Sequence, residues 1–209
     1  GTDAAHLAAA LRSYAQGVPP PGLLLRPTGQ RTGRVAVLFS GQGSQRPGMG
    51  KGLYLSSPTF RDALDAVFAQ LEGQLERPLR EVMFAEEGTA EAALLHQTAY
   101  TQPALFALEV ALYRQWEHVG LKADLLLGHS LGEVTAAHIS GMLGLEDACQ
   151  LVATRGRLMQ AMPQGAMAAV QASEQEVRAC LAGLQAQVAV AGQNEPFQTV
   201  ISGDSAAVE

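Results

Sequence analysis

The chain has 209 residues, of which 47% are hydrophobic and 16% charged, so it can bury one sizeable core and part of a second. Its net charge of −6, with no basic tract, makes nucleic acid and anionic membranes poor partners. No apolar run approaches the roughly 20 residues that cross a bilayer, and no signal-peptide layout opens the chain, which favours a cytoplasmic location. Cys149 and Cys180 have no CxxC partner and are expected to be small buried hydrophobic side chains in a reducing compartment, with no metal site.

The first 33 residues predict a short helix followed by a linker. The Ala/Leu-rich segment 4–14 has helical spacing, Gly17 ends it, and the prolines at 19–21 prevent a helix from resuming. The helical spacing of apolar residues does not continue after the linker. The continuous apolar run 35–39 instead predicts a strand buried on both faces of a parallel sheet. A glycine-rich loop, 41–48, follows this strand.

Capping and spacing signals predict the helices that follow. Ser57 and Pro58 open one helix, and Thr101 is expected to cap another, whose buried stripe runs to Trp116. Beyond these, a strand is predicted at 124–127, with helices at 133–140 and 146–162. Strands alternating with helices over 34–163 predict an α/β fold with a large, parallel-sheet subdomain of hydrolase type.

The pattern shifts again near residue 164. A strand at 166–171, a helix opened by a capping box at Ser173 and two strands at 188–191 and 199–202 give the order β-α-β-β. That order predicts the beginning of a ferredoxin-like small subdomain over 164–209.

The segment 128–132 reads Gly-His-Ser-Leu-Gly and matches the G-x-S-x-G pattern of a nucleophile elbow. A predicted strand precedes it and a predicted helix follows it, which is the context that the pattern requires. Small flanking residues let the strained turn close, so that Ser130 Oγ projects at the carboxyl edge of the sheet. The backbone N–H of Leu131, at the start of the helix, then points toward a developing oxyanion.

The glycine-rich loop 41–48 suggests a phosphate-binding loop, but the residues fail that test. A Walker A motif needs Gly at position 45 and Ser or Thr at position 52, where the chain has Gln45 and Gly52, and Arg46 breaks the G-x-G-x-x-G pattern. The loop therefore has two remaining interpretations: a plain turn, or a second oxyanion donor for Ser130.

A serine nucleophile needs a base within hydrogen-bond reach, and none of the five histidines is a convincing one. His129 is adjacent to Ser130 and cannot easily turn back onto it, while His138 lies two turns into the following helix. The sequence therefore predicts that the catalytic histidine lies beyond Glu209, or that the site is inactive.

Arg155 lies in a predicted helix beside Gly156, and a mid-helix glycine indicates that a substrate or another backbone approaches closely. An arginine there can clamp a carboxylate bidentately. From spacing alone, a solvated surface arginine is the preferred interpretation.

Taken together, the stretches 39–45, 100–106, 128–133 and 155–159 resemble the malonyl-CoA:acyl-carrier-protein transacylase family, specifically the acyltransferase domains of modular type I polyketide synthases. The resemblance covers about residues 34–209. It implies an enzyme that loads a malonyl-type unit from CoA onto the phosphopantetheine of an acyl carrier protein, without a bound cofactor.

The resemblance also implies a role for each matching residue. Ser130 would be acylated, and the backbone amides of Gln42 and Leu131 would form the oxyanion hole. Arg155 would hold the free carboxylate of the substrate, and Gln102 and His129 would belong to the substrate-binding site. Leu131 and the segment 97–102 favour malonyl over methylmalonyl, since a glutamine often follows the nucleophile in methylmalonyl-selective members.

Residues 1–33 resemble the end of the linker that joins a ketosynthase to its acyltransferase, which makes the adjacent ketosynthase an expected partner in the same polypeptide. Two other enzymes stay open as alternatives: a stand-alone malonyl transacylase of fatty acid synthesis, and an ordinary α/β serine hydrolase. A non-catalytic docking or scaffold fragment is the alternative from a different class.

Overall fold

The computed structural model describes residues 4–20, 33–163 and 165–209. Within these ranges the chain forms ten helices and five strands. The helices are α1 (Ala4–Ala15), α2 (Lys51–Ser56), α3 (Pro58–Leu71), α4 (Leu79–Phe84), α5 (Ala90–Leu94), α6 (Thr98–His118), α7 (Leu131–Ile139), α8 (Leu145–Gln160), α9 (Glu174–Cys180) and α10 (Ser205–Val208). The strands are β1 (Ala36–Phe39), β2 (Leu125–Gly128), β3 (Ala166–Val170), β4 (Val188–Glu195) and β5 (Gln198–Gly203).

The strands form two separate sheets among the described residues. β1 and β2 pair in parallel, with Ala36 opposite Leu125 and Phe39 opposite Gly128. Because the strands run in parallel and in register, their carboxyl ends meet at one edge. β5 lies between β3 and β4 and is antiparallel to both. The predicted α/β class, with a parallel sheet in the larger part and a partial ferredoxin-like unit after it, is confirmed.

The main core lies among helices α3, α6 and α8, which make many mutual contacts around the long central α6. The α3 residues Phe60, Leu64, Val67 and Leu71 are buried, and Ser57 accepts a hydrogen bond from the backbone N–H of Phe60, as expected of an N-cap. The largest fully buried side chains of this core are Phe60, Leu64, Met83, Leu95, Leu105, Phe106 and Leu131. A second, small cluster around Val177, Val188 and Ile201 fills the antiparallel unit.

Two predictions about α6 are wrong. The helix begins at Thr98, three residues before the predicted cap, and Thr101 is buried inside it with its hydroxyl donating to the carbonyls of Leu95 and Gln97. Because threonine can satisfy its hydroxyl on a preceding carbonyl, it is tolerated within a helix and does not have to cap one. Trp116 is 59% exposed, since the buried face of α6 turns away from it near the C-terminal end.

The prediction that β1 is buried on both faces is also wrong for the described chain. Leu38 is 71% exposed, and Leu125 and Leu127 on β2 are 52% and 61% exposed, because no described element packs against that face. Cys149 is buried as expected, and burial raises the pKa of its thiol to about 12, but Cys180 is exposed. In the described ranges, no helix has the length and apolar character that crossing a membrane requires.

The antiparallel unit begins as its sequence predicts. The Ser173 side chain accepts from the N–H of Glu176, and the Glu176 carboxylate accepts from the N–H of Ser173, which completes the predicted capping box of α9. The Ser173 hydroxyl also donates to Glu176 Oε2, and this bond, together with the one from the Ser173 N–H, lowers the pKa of the Glu176 carboxyl.

Candidate active site

The turn between β2 and α7 holds Ser130 in a conformation that side chains rarely adopt. Ser130 has φ 54° and ψ −110°, and it is the only non-glycine residue with positive φ in the described ranges. The turn is closed by hydrogen bonds from Gly132 N–H to His129 O and from Glu133 N–H to Ser130 O. Such strain persists only where the surroundings enforce it, and it is the backbone signature of a nucleophile elbow.

The two flanking glycines of the turn are required by close backbone approach. A Cβ at Gly128 would lie 2.0 Å from the carbonyl carbon of Gly132, and a Cβ at Gly132 would lie 2.4 Å from the carbonyl oxygen of Phe39. Neither clash involves a movable side chain, so any larger residue would have to displace the strand or the helix. The sequence-based explanation of these glycines agrees with the geometry.

We expect Gly128→Ala to destabilise the fold severely, by about 4 kcal/mol or more, because the clash is between backbone atoms. Thermal unfolding of the variant checks this. The matched control is Gly52→Ala in α2, where an added Cβ would meet no atom within 4 Å. A Gly128→Ala protein as stable as this control would refute the explanation.

The end of β1 and the loop after it pack directly against this elbow. The N–H of His129 donates to the carbonyl of Phe39 at 3.0 Å, and a Cβ at Gly41 would lie 2.8 Å from His129 Nδ1. The loop therefore reaches the elbow because Gly41 has no side chain. Gln42 follows at once, exposed on the same sheet edge as Ser130.

Two backbone N–H groups at this edge have no hydrogen-bond acceptor among the described residues. Within the described ranges, neither the N–H of Gln42 nor that of Leu131 donates a hydrogen bond to another residue. Leu131 is the first residue of α7, so its N–H is one of the donors that a helix leaves unsatisfied. Its side chain is fully buried in the main core, so only its backbone is directed toward the site.

Arg155 on α8 reaches Ser130 directly. Its Nη2 donates to Ser130 Oγ at 2.9 Å, and its Nη1 donates to Gln102 Oε1 at 2.7 Å. Gln102 is 1% exposed and its amide nitrogen lies 3.1 Å from Met159 Sδ, so the guanidinium is held from one side by a buried group. The solvated surface arginine that spacing alone favours is therefore not observed.

Gly156 explains how α8 comes close enough for this contact. A Cβ at Gly156 would lie 3.0 Å from the carbonyl oxygen of Thr98 and 3.2 Å from Ala99 Cα, at the start of α6. The approaching group is thus another backbone, one of the two predicted possibilities. Gln160 strengthens the junction by accepting from Thr98 N–H at 2.7 Å.

Sequence reasoning missed Glu109, a 9% exposed carboxylate on α6. Its Oε1 accepts from the N–H and the hydroxyl of Ser40, and its Oε2 accepts from the hydroxyl of Thr135. Burial raises the pKa of this carboxyl, while the three hydrogen bonds lower it and offset part of the shift. The sequence signal that could have identified Glu109 is its position as the only charged residue within the otherwise apolar run 103–112.

None of the five histidines, all of which lie in the described ranges, hydrogen-bonds to Ser130. The Nδ1–H of His138 donates to the carbonyl oxygen of Leu143, and the ring is half-buried, which lowers its pKa. His129 is exposed with its ring against Gly41. Ser130 Oγ therefore has an arginine partner here and no histidine base.

A parallel sheet with a serine elbow at its carboxyl edge places the protein among α/β enzymes of the nucleophile-elbow class. The sequence profile described as "Acyl transferase domain" matches residues 37–209. The chain belongs to this family of acyltransferases, and specifically to the acyltransferase domains of modular polyketide synthases.

Two curated relatives support this family assignment. The spectinabilin polyketide synthase system protein NorB of Streptomyces orinoci is 53% identical over 207 residues, which are 99% of this chain and 9% of NorB. The polyketide synthase GfsA of Streptomyces halstedii is 48% identical over 206 residues, 98% of this chain and 3% of GfsA. The chain therefore spans less than a tenth of the length of either curated relative.

Solved structures agree with the fold. The acyltransferase domain from the second module of the salinomycin polyketide synthase superposes with a TM-score of 0.80 at 48% identity, covering 100% of this chain and 48% of that one. The structure of MCAT from Streptococcus pneumoniae gives a TM-score of 0.72 at 39% identity, covering 84% of this chain and 56% of that one.

Proposed function

We propose that this acyltransferase carries a malonyl-type extender unit from CoA to an acyl carrier protein through an ester on Ser130. The observation that carries the proposal is the contact of Arg155 with both Ser130 Oγ and the buried Gln102. A guanidinium beside the nucleophile suits a substrate with a free carboxylate close to its reacting carbonyl. Malonyl thioesters have that arrangement.

In the first half-reaction, Ser130 Oγ attacks the thioester carbonyl carbon, and its proton passes to a general base that the described residues do not supply. The negative charge that develops on the carbonyl oxygen is stabilised by the unpartnered N–H groups of Gln42 and Leu131. The C–S bond then breaks, CoA leaves as its thiol, and the acyl ester remains on Ser130.

In the second half-reaction, the phosphopantetheine thiol of the carrier protein attacks the ester, the C–O bond breaks and Ser130 regains its proton. CoA leaves the site before the carrier protein reacts with the acyl-serine ester, so the kinetics are ping-pong. Water must be excluded during the ester's lifetime, since hydrolysis would waste the acyl group.

Arg155 fixes the orientation of the acyl group in this scheme. Its Nη2 leaves Ser130 Oγ when substrate enters and pairs with the malonyl carboxylate, while Gln102 continues to hold Nη1. Because Gln102 is almost fully buried, it sets the plane of the guanidinium before substrate arrives. The exposed His129, beside Gly41, lines the entrance of the acyl group.

Malonyl is the preferred substrate in this proposal, over methylmalonyl. Its support is the family resemblance of Leu131 and of segment 97–102. Since the Leu131 side chain lies in the core, its identity acts on selectivity through the position of α7 and not by contact with the α-carbon. Comparing kcat/KM for the two acyl-CoA substrates tests this preference.

We propose the domain organisation that the sequence predicts. Residues 34–163 form the large subdomain, residues 164–209 form part of the small subdomain, and residues 1–33 are the end of the linker between a ketosynthase and the acyltransferase. Within the linker, only 4–20 and residue 33 lie in the described ranges, so the prolines at 21 and 27 fall outside them. The adjacent ketosynthase is then a partner within the same polypeptide.

Incubation of the intact acyltransferase with malonyl-CoA and an acyl carrier protein tests the proposed function. The expected result is malonyl transfer to the carrier thiol, faster than hydrolysis to free malonate. A serine hydrolase would release malonate at the same rate with or without carrier protein, and that outcome would overturn the transfer proposal. A scaffold fragment would consume no malonyl-CoA at all.

A further inference from the structure

Glu109 is a charged group in an otherwise apolar part of the core. It lies on the central helix α6, between the buried residues Ala107 and Val110, and is itself 9% exposed. Burying a carboxylate has a large desolvation cost, and apolar side chains of similar volume often stabilise such a site better. Glu109 has no direct part in the acyl-transfer steps above, so its presence calls for another explanation.

The two carboxylate oxygens of Glu109 bind two different segments. Oε1 accepts from Ser40 N–H at 2.8 Å and from Ser40 Oγ at 2.9 Å, and Oε2 accepts from Thr135 Oγ at 2.8 Å. Thr135 is fully buried. All three contacts come from neutral donors, which is the pattern that an ionised carboxylate satisfies.

Each of these segments carries one of the unpartnered backbone donors. Ser40 directly follows β1 and precedes Gln42 by two residues, and Thr135 lies one helical turn after Leu131 on α7. The rigid, planar carboxylate thus joins the Gln42 loop to the helix that begins at Leu131. A change at Glu109 would alter the spacing of the two N–H groups without touching either of them.

We propose that Glu109 is a positioning residue that sets the separation of the Gln42 and Leu131 amides in the oxyanion hole. This inference rests on the proposed roles of Ser130, Gln42 and Leu131. Oxyanion stabilisation depends on donors lying within hydrogen-bond distance of the transition-state oxygen, and errors near 1 Å cost about 100-fold in rate. Loss of the Glu109 bridge should therefore slow the chemistry and leave substrate binding almost unchanged.

The test measures single-turnover acylation of the intact acyltransferase by malonyl-CoA, together with the thermal midpoint. We expect Glu109→Ala to lower the acylation rate constant about 10- to 100-fold, with KM for malonyl-CoA near the wild-type value. Glu109→Gln should restore most of the rate, because its amide oxygen can accept from Ser40 while its nitrogen donates to Thr135 Oγ. The control is Val110→Ala, which removes core packing from the neighbouring position on α6.

A spectroscopic measurement separates positioning from stability. With a 13C-labelled malonyl carbonyl, the infrared stretch of the acyl-enzyme reports hydrogen bonding to the carbonyl oxygen. It should move to higher frequency in Glu109→Ala and stay unchanged in Val110→Ala, even if both variants lose the same thermal stability. An unchanged stretch and rate constant in Glu109→Ala would overturn the inference.

Thr135→Val serves if Glu109→Ala does not fold, because it removes one hydrogen bond and keeps the side-chain shape. It should lower the acylation rate constant and raise the carbonyl frequency in the same sense, and wild-type values for both would overturn the inference. A different result would refute the proposed function itself, namely that the wild-type enzyme forms no ester on Ser130. If all variants form the ester as fast as the wild type, only the role of Glu109 is refuted.

Discussion

Ser130→Ala is expected to abolish malonyl transfer, with kcat falling by at least about 10⁴-fold, because the acyl group loses the oxygen to which it is bonded. The rest of the site stays in place, since alanine fits the space of serine and the Arg155–Gln102 hydrogen bond does not involve Ser130. A coupled assay for CoA release and a carrier-protein gel-shift assay both measure the loss.

Stability provides an independent check on the same residue. Ser130 has φ 54°, so Ser130→Gly should relieve backbone strain and raise the free energy of unfolding by about 1 kcal/mol while abolishing transfer. The control is Ser140→Ala, an exposed serine at the C-terminal end of the same helix. Transfer by Ser130→Ala at more than a tenth of the rate of this control would exclude Ser130 as the nucleophile.

Arg155→Ala is expected to lower kcat/KM for malonyl-CoA about 100-fold, which corresponds to the loss of a strong charge-assisted hydrogen bond. Uncarboxylated acyl-CoA substrates such as acetyl-CoA do not use the guanidinium, so their loading should change far less and the preference should invert. Arg155→Lys should give an intermediate loss, since lysine keeps the charge but cannot bind a carboxylate and Gln102 with a planar fork.

The matched control for Arg155 lies two residues further along α8. Arg157 is exposed and on a different face of the helix, so Arg157→Ala should leave the malonyl preference unchanged. An Arg155→Ala enzyme that still prefers malonyl-CoA over acetyl-CoA by the wild-type ratio would contradict the carboxylate clamp.

Local chemistry explains which parts of the fold the sequence predicted. The elbow at Ser130, the capping box at Ser173 and the N-cap at Ser57 each depend on a few neighbouring residues, so short patterns suffice to identify them. The sequence places the start of α6 at Thr101 because threonine is a common N-cap residue. Only the tertiary structure shows that the Thr101 hydroxyl donates to carbonyls that precede it in the chain.

The contacts that build the site could not be predicted in the same way, because they join distant segments. Arg155 meets Gln102 across 53 positions, and Glu109 meets Ser40 across 69. Gly156 did signal a close approach, but the pattern left open whether a substrate or the backbone of Thr98 fills the space. Spacing alone favoured a solvated Arg155, and the family resemblance corrected that interpretation.

Peptide mapping by mass spectrometry, after brief exposure of the intact acyltransferase to malonyl-CoA without carrier protein, tests the central proposal most directly. The account predicts one malonyl ester, located on Ser130, with one equivalent of CoA released and the ester lost when the carrier protein is added. A malonyl group found on another residue, such as the exposed Cys180, or no adduct at all, would contradict it.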